Sequence, residues 1–165
     1  MTKSVQHAKA PFNMVLFGGT GDLAMRKLLP ALYAAHLHGL LHVTGRIIGL
    51  GRQNLGRSGY LAQLEAEAKP RIRAWDAEAW AGFLSRIDYV QVDATQGEDY
   101  ARLTPALAGQ APLHNVYYLA TATQLFDPIC AHLETVGLPN ETDRVVLATH
   151  LGTDLASSTV ITDAI

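Results

Sequence analysis

Met14-Val-Leu-Phe-Gly-Gly-Thr-Gly-Asp-Leu-Ala-Met-Arg-Lys-Leu-Leu-Pro-Ala-Leu-Tyr33 runs from an apolar strand through a glycine turn into a helix. Gly18 permits the tight turn after the strand, Gly21 lets backbone approach an anion with no Cβ in the way, and Ala24 lets the helix pack closely on the strand. The free N–H groups and positive dipole end of that helix then face the anion. The spacing Gly18-x-x-Gly21-x-x-Ala24 is looser than the usual dinucleotide fingerprint, and small-residue turns of this kind also occur without a ligand. Context decides between the two. A second strand at Arg46-Ile-Ile-Gly-Leu-Gly51 completes the βαβ unit that a pyrophosphate-binding turn requires.

The residue that ends the second strand discriminates between cofactors. An NAD site usually places a carboxylate there for the ribose 2′-hydroxyl, whereas this chain has Arg52. A guanidinium suits the 2′-phosphate of NADP through bidentate, charge-assisted hydrogen bonds. Gln53 is placed to donate to the same phosphate, and Arg57 to add charge. The competing reading of Arg52 is a solvated residue at a strand end. The expected cofactor is therefore NADP, with NAD bound more weakly.

Elsewhere, apolar runs at Phe12–Phe17, Arg46–Gly51, Asp88–Val92, Asn115–Leu119 and Arg144–Leu147 read as short buried parallel strands. Helical stretches separate them: Asp22–Leu37, Gly59–Ala68, Asp76–Ser85, Gly97–Leu107 and Leu125–Val136. Pro30 removes a backbone donor and is expected to bend or loosen the first helix. Lys69-Pro70 joins the second and third, whose Trp75 and Trp80 read as packing residues. Asp154 is a candidate N-cap for a last helix. The alternation predicts an α/β fold, a Rossmann-type doubly wound parallel sheet in three layers, as one domain over residues 1–165 with residues 1–10 flexible.

The 165 residues are 48% hydrophobic, enough for a full core. A formal charge of −2 offers no general attraction to nucleic acid or anionic membranes, so the basic residues near the turn read as local phosphate binders. The single Cys130 excludes an internal disulfide and reads as a packing residue in a reducing cytosol. No apolar run reaches membrane-spanning length, and Met1–Ala10 lacks a signal-peptide core. A cytoplasmic protein, monomeric or weakly homo-oligomeric, is expected. Seven histidines include His36, His38 and His42, which read as a chance cluster rather than a metal site. The Asp22 carboxylate is assigned to capping and the helix dipole, and Arg26 and Lys27 either reach the cofactor phosphates or face solvent. His150 ends a strand at the crevice. It is either a general base in a small polar site with Thr149, Thr123 and Gln124, or a polar residue capping an exposed strand end.

Gly18-Gly-Thr-Gly-Asp-Leu-Ala-Met-Arg-Lys-Leu-Leu-Pro30 resembles the signature of the glucose-6-phosphate dehydrogenase family. Ile48-Gly-Leu-Gly-Arg52, Val116-Tyr-Tyr-Leu-Ala-Thr121, Leu125-Phe-Asp-Pro-Ile-Cys130, Arg144-Val-Val-Leu147 and Leu151-Gly-Thr-Asp-Leu-Ala-Ser157 are similar to later pieces of the family in the same order. The resemblance runs from about Phe12 to Ile165. It implies a cofactor site built from Gly18, Gly19, Thr20, Gly21, Asp22 and Leu23 in the turn, Arg52 and Gln53 after the second strand, and Ala120 and Thr121 after the fourth. It also implies hydride transfer from glucose 6-phosphate to NADP, part of glucose metabolism through the pentose phosphate pathway.

The resemblance covers the front of the family, whose members continue into a large α+β domain that holds the general base and most sugar ligands. The chain departs from the family at two strand ends. A proline-containing turn is replaced by Ala122-Thr123-Gln124, and the family's Glu-Lys-Pro is replaced by Ala148-Thr149-His150. Asp127 stands where the family commonly has glycine. These departures point to an excised and engineered cofactor domain without the parent activity. The alternatives are a redesigned minimal oxidoreductase using the altered crevice residues, and a non-enzymatic, oligomerising scaffold.

Overall fold

The computed structural model describes residues 11–108 and 114–148, together with the backbone of 158–161. Strand β1 (Phe12–Phe17) lies near the middle of a six-stranded sheet. The other strands are β2 (Ile47–Gly51), β3 (Ile87–Gln91), β4 (His114–Leu119), β5 (Arg144–Ala148) and β6 (Ser158–Ile161). The spatial order is β3-β2-β1-β4-β5-β6, with β1 to β5 parallel and β6 antiparallel to β5. This is the doubly wound order, with the switch point between β1 and β4.

Period-two alternation on β1 divides the core. Met14 and Leu16 face a cluster with Met25, Leu29, Tyr33, Tyr60, Trp80 and Phe83. Val15 and Phe17 face the opposite cluster with Tyr100, Leu103, Tyr117, Ile129 and Leu133. Helices α1 (Leu29–Leu37), α2 (Gly56–Gln63) and α3 (Ala77–Leu84) cover the first face, and α4 (Leu103–Leu107) and α5 (Phe126–Thr135) the second. A sheet buried on both sides explains why its strands read as continuous apolar runs.

Pro30 and Pro70 each follow a widened turn. Ala24–Leu28 is a π-helical turn closed by the Leu29 N–H on the Ala24 carbonyl, immediately before Pro30. Leu64–Ala68 is another, closed by the Lys69 N–H on the Leu64 carbonyl, immediately before Pro70. A proline lacks the N–H for the carbonyl four residues back and its ring crowds that carbonyl, so the helix widens by one residue there. The loosening expected at Pro30 is thus a π turn, with the helix running on to Leu37.

Two expectations are corrected. Trp80 is buried, with its indole N–H donating to Glu65 at 2.7 Å, but Trp75 is 40% exposed under the Lys69 ammonium and is no core residue. The last helix is not formed at 158–161, which pairs with β5 as a strand. Thr159, Val160 and Ile161 are β-branched, and β5 would otherwise present an unpaired edge. Asp154 and residues 1–10 lie outside the described residues. Strand and helix positions otherwise match the reading of the sequence to within a few residues.

Buried polar groups tie the sheet at the end opposite the glycine turn. The Asn13 amide donates to Asn115 at 3.2 Å, and the Asp143 carboxylate accepts from the Asn115 and Asn140 N–H groups at 2.9 and 2.8 Å. Arg86 clamps the loop before β2. Its guanidinium donates to the carbonyls of His42 and Gly45, and its Nε donates to His36 Nδ1 at 2.9 Å. Burial, reinforced by the Arg86 charge, holds the His36 pKa below the ordinary value.

A folded-state pKa below the unfolded one means that the unfolded chain takes up protons more readily. The His36 contribution to stability is therefore present above the unfolded value of about 6.5 and lost as pH falls below it. Urea unfolding between pH 7.5 and 5.5 is expected to show a decline that is shallower in His36→Gln. Gly49→Ala is expected to destabilise the chain by about 1–3 kcal/mol, because its Cβ would fall within the Tyr60 ring; thermal unfolding measures this.

Candidate functional site

The C-terminal ends of β1, β2, β3 and β4 open on one cleft of about 490 Å³. Gly18, Thr20 and Gly21 from the glycine turn, Arg52 and Gln53 after β2, and Thr121 after β4 all line it. The structure thus brings together residues separated by a hundred positions, at the switch point where open α/β sheets bind ligands.

Each glycine of the turn has its own reason. Gly18 has φ of +76°, and a Cβ there would lie 2.5 Å from the Ala120 carbonyl oxygen. Gly19 is buried against β2: its N–H donates to the Leu50 carbonyl at 2.8 Å, and a Cβ would meet Gly49 Cα, Leu50 N and Tyr60 Oη, each at 3.0 Å. Gly21 differs from both. Its φ is not in the left-handed region, and a Cβ would meet only the Gly18 carbonyl oxygen at 3.3 Å. Internal packing gives a weak reason for glycine there, while the position lines the cleft. Glycine at this position leaves no side chain beside the first-turn N–H groups of the helix beginning at Asp22, which have no partners within the helix. These residues fit a dinucleotide pyrophosphate.

The turn after β2 is held from below. Tyr89 Oη donates to the Gln53 carbonyl at 2.6 Å, Gln91 Nε2 donates to the Arg52 carbonyl at 3.0 Å, and Thr20 Oγ1 donates to Gln53 Oε1 at 3.3 Å. Among the described residues the Arg52 guanidinium makes no hydrogen bond, and Arg52 is exposed on the cleft wall. Facing it from beyond β3 is Asp93. The Thr95 hydroxyl and N–H hold the Asp93 carboxyl below its usual range, and the Arg52 charge adds to this.

Other candidates fall elsewhere. Arg57 does not reach the cleft: its guanidinium donates to the carbonyls of Ile87 and Leu84, joining α2 to the start of β3. Asp22 gives the helix no side-chain cap and instead pairs with Arg26 across one helical turn at 3.0 Å. Both partners are solvent-exposed, so the pair contributes little. Asp22 and Leu23 lie in the first helical turn and, like Ala120, are not among the residues that line the cleft; Ala120 donates its N–H to the Phe17 carbonyl at 2.9 Å. Cys130 is half-buried against the second core cluster, where burial raises its thiol pKa. His36 serves the Arg86 clamp. Ala122, Thr123 and Gln124 are exposed on a short 3₁₀ turn, and Thr149 and His150 lie outside the described residues.

The sequence reading missed the 93–95 loop, with Asp93, Ala94 and Thr95 all on the cleft. A signal was available. The strand reading placed the end of β3 at Val92, and residues after any parallel strand next to the switch point belong to the same rim.

Residues 15–165 match the family model described as glucose-6-phosphate dehydrogenase, NAD binding domain. Glucose-6-phosphate 1-dehydrogenase of Mycolicibacterium smegmatis is 42% identical over 161 residues, which take in 94% of this chain and 32% of that protein. The Gluconobacter oxydans protein of the same name is 41% identical, with the same shares covered. Among solved structures, glucose-6-phosphate 1-dehydrogenase from Mycobacterium avium superposes with a TM-score of 0.76 at 27% identity, over 90% of this chain and 32% of that one. A glucose-6-phosphate dehydrogenase in complex with its substrate glucose 6-phosphate gives 0.73 at 26% identity, with the same coverage. The chain spans about a third of the length of the relatives it matches. With this fold, this turn and these matches, the chain belongs to the glucose-6-phosphate dehydrogenase family, within its NAD-binding domain.

Proposed function

We propose that this chain binds NADP(H) in the cleft, in preference to NAD(H), as the cofactor-holding part of an enzyme that oxidises glucose 6-phosphate. The observation that carries the cofactor preference is Arg52. It is exposed on the wall of the cleft that also holds the glycine turn, with no side-chain hydrogen bond among the described residues. A 2′-phosphate there would accept two parallel bonds from the guanidinium and pair with its charge, while an uncharged 2′-hydroxyl would accept one bond and offer no ion pair. Gln53 and Thr20, already linked by their side chains, flank the same position.

Gly21, the first-turn N–H groups and the positive end of the helix would hold the pyrophosphate. Thr20 and Thr121 line the walls on either side. The bound cofactor supplies the hydride acceptor. The side chains around it do the work of binding and orientation. Asp93 is the carboxylate among the described lining residues, and its lowered pKa makes it a poor proton acceptor at neutral pH. Proton removal from a sugar hydroxyl is therefore assigned to groups other than the described lining residues.

Titration calorimetry of the purified chain with NADP⁺ and NAD⁺ tests the reading. NADP⁺ is expected to bind more tightly, and Arg52→Ala to lower NADP⁺ affinity by about 10- to 100-fold while leaving NAD⁺ nearly unchanged. Equal affinity for the two cofactors in the unaltered chain overturns the preference.

A further inference from the structure

Two tyrosines link the two anion-reading turns to each other. Tyr60 is fully buried, with its hydroxyl donating to the Gly19 carbonyl at 2.8 Å, so it holds the pyrophosphate turn. Tyr89 is nearly buried, with its hydroxyl donating to the Gln53 carbonyl at 2.6 Å, so it holds the turn that carries Arg52. Their rings pack on each other with centroids 5.1 Å apart. A Cβ on Gly51 would lie 2.9 Å from both Tyr89 Oη and Thr20 Cγ2, so this glycine admits the contact between the turns. Burial raises the pKa of both phenols, so both remain donors at neutral pH. Gln91 adds a second hold on the Arg52 carbonyl, and its own carbonyl is fixed by Arg102 at 2.6 Å.

We infer that Tyr89, backed by Gln91, is a positioning residue for cofactor choice, setting where Arg52 stands relative to the pyrophosphate turn and hence the preference for a 2′-phosphate. The inference rests on the cofactor reading above. Neither side chain need touch the ligand. Each fixes a backbone carbonyl, and a guanidinium reads a phosphate bidentately only from a defined position and angle. Tyr60 acts on the turn that NAD and NADP share, so its hydroxyl is indifferent to the 2′-substituent.

The experiment measures affinities for NADP⁺ and NAD⁺ in the unaltered chain and in Arg52→Ala, Tyr89→Phe, Gln91→Ala and Tyr60→Phe. Tyr89→Phe keeps the ring in place and is expected to lower NADP⁺ affinity about three- to tenfold with NAD⁺ affinity little changed. Gln91→Ala is expected to move the ratio in the same direction from the protein surface, without disturbing the tyrosine pair. Tyr60→Phe is expected to weaken both cofactors by the same factor. A purely structural role for Tyr89 would also lower both together, and that result overturns the inference. A preference erased by Arg52→Ala but unmoved by Tyr89→Phe and Gln91→Ala overturns it while leaving the cofactor reading intact. An unaltered chain without any preference overturns the reading and the inference with it.

Discussion

The Tyr60 side chain fills the space that a Cβ on Gly49 would take and closely approaches that of a Cβ on Gly19, and the geometry of the cleft follows from that contact. The phenol end of the side chain from α2 packs on β2 at Gly49, and its hydroxyl donates to the Gly19 carbonyl. Strand, turn and helix are thereby brought closer than any larger residue at either glycine allows. Burying an aromatic of this size contributes about 1.5–3 kcal/mol, and its hydroxyl is not left without a partner in the core. The same ring supports Tyr89, so the contact that closes the first core cluster also sets the distance between the turns after β1 and β2.

A division of labour between the two ends of the sheet accompanies this. At the end away from the cleft, Asn13, Asn115 and Asp143 satisfy buried backbone and side-chain groups, and Arg86 closes the loop before β2 with bonds to its carbonyls. These groups are used up internally. At the cleft end, the helix N-terminus and the Arg52 guanidinium keep donors unpaired by the described residues. These donors are left for a ligand, in a cleft whose described lining holds one carboxylate, Asp93.

The prolines show how far local sequence reaches. Pro30 announces a disturbed helix and Lys69-Pro70 a junction between two helices, because the missing N–H and the ring are properties of the residue itself. That the disturbance at Pro30 is a π turn and not a break accompanies the burial of Ala24, Met25 and Leu29 in the first core cluster, whereas at Pro70 the helix ends through Lys69–Arg71. Trp75 shows the converse: an indole reads as core material, yet it lies on the surface beneath Lys69 because the loop before α3 carries it outside the packed layer. Arg57 is the same error for charge. Five residues from Arg52 it looks like added charge for the phosphate, but α2 turns it toward the carbonyls of Leu84 at the end of α3 and Ile87 at the start of β3.

The sequence by itself determined the α/β class, the glycine turn and the cation after β2. Apolar runs, φ freedom and charge are local properties that survive without knowledge of neighbours. It also carried the family resemblance, which the comparisons bear out. Tertiary structure decided which of the candidates share a cleft. It brought Thr121 and the 93–95 loop to the glycine turn, sent Arg57 to another face and paired Asp22 with Arg26. It also turned residues 158–161 into an edge strand. The physical reason is that side-chain direction and strand order arise from long-range packing and hydrogen bonding. Tyr89 is thirty-six residues from the carbonyl it holds, and no local pattern encodes a bond across that distance.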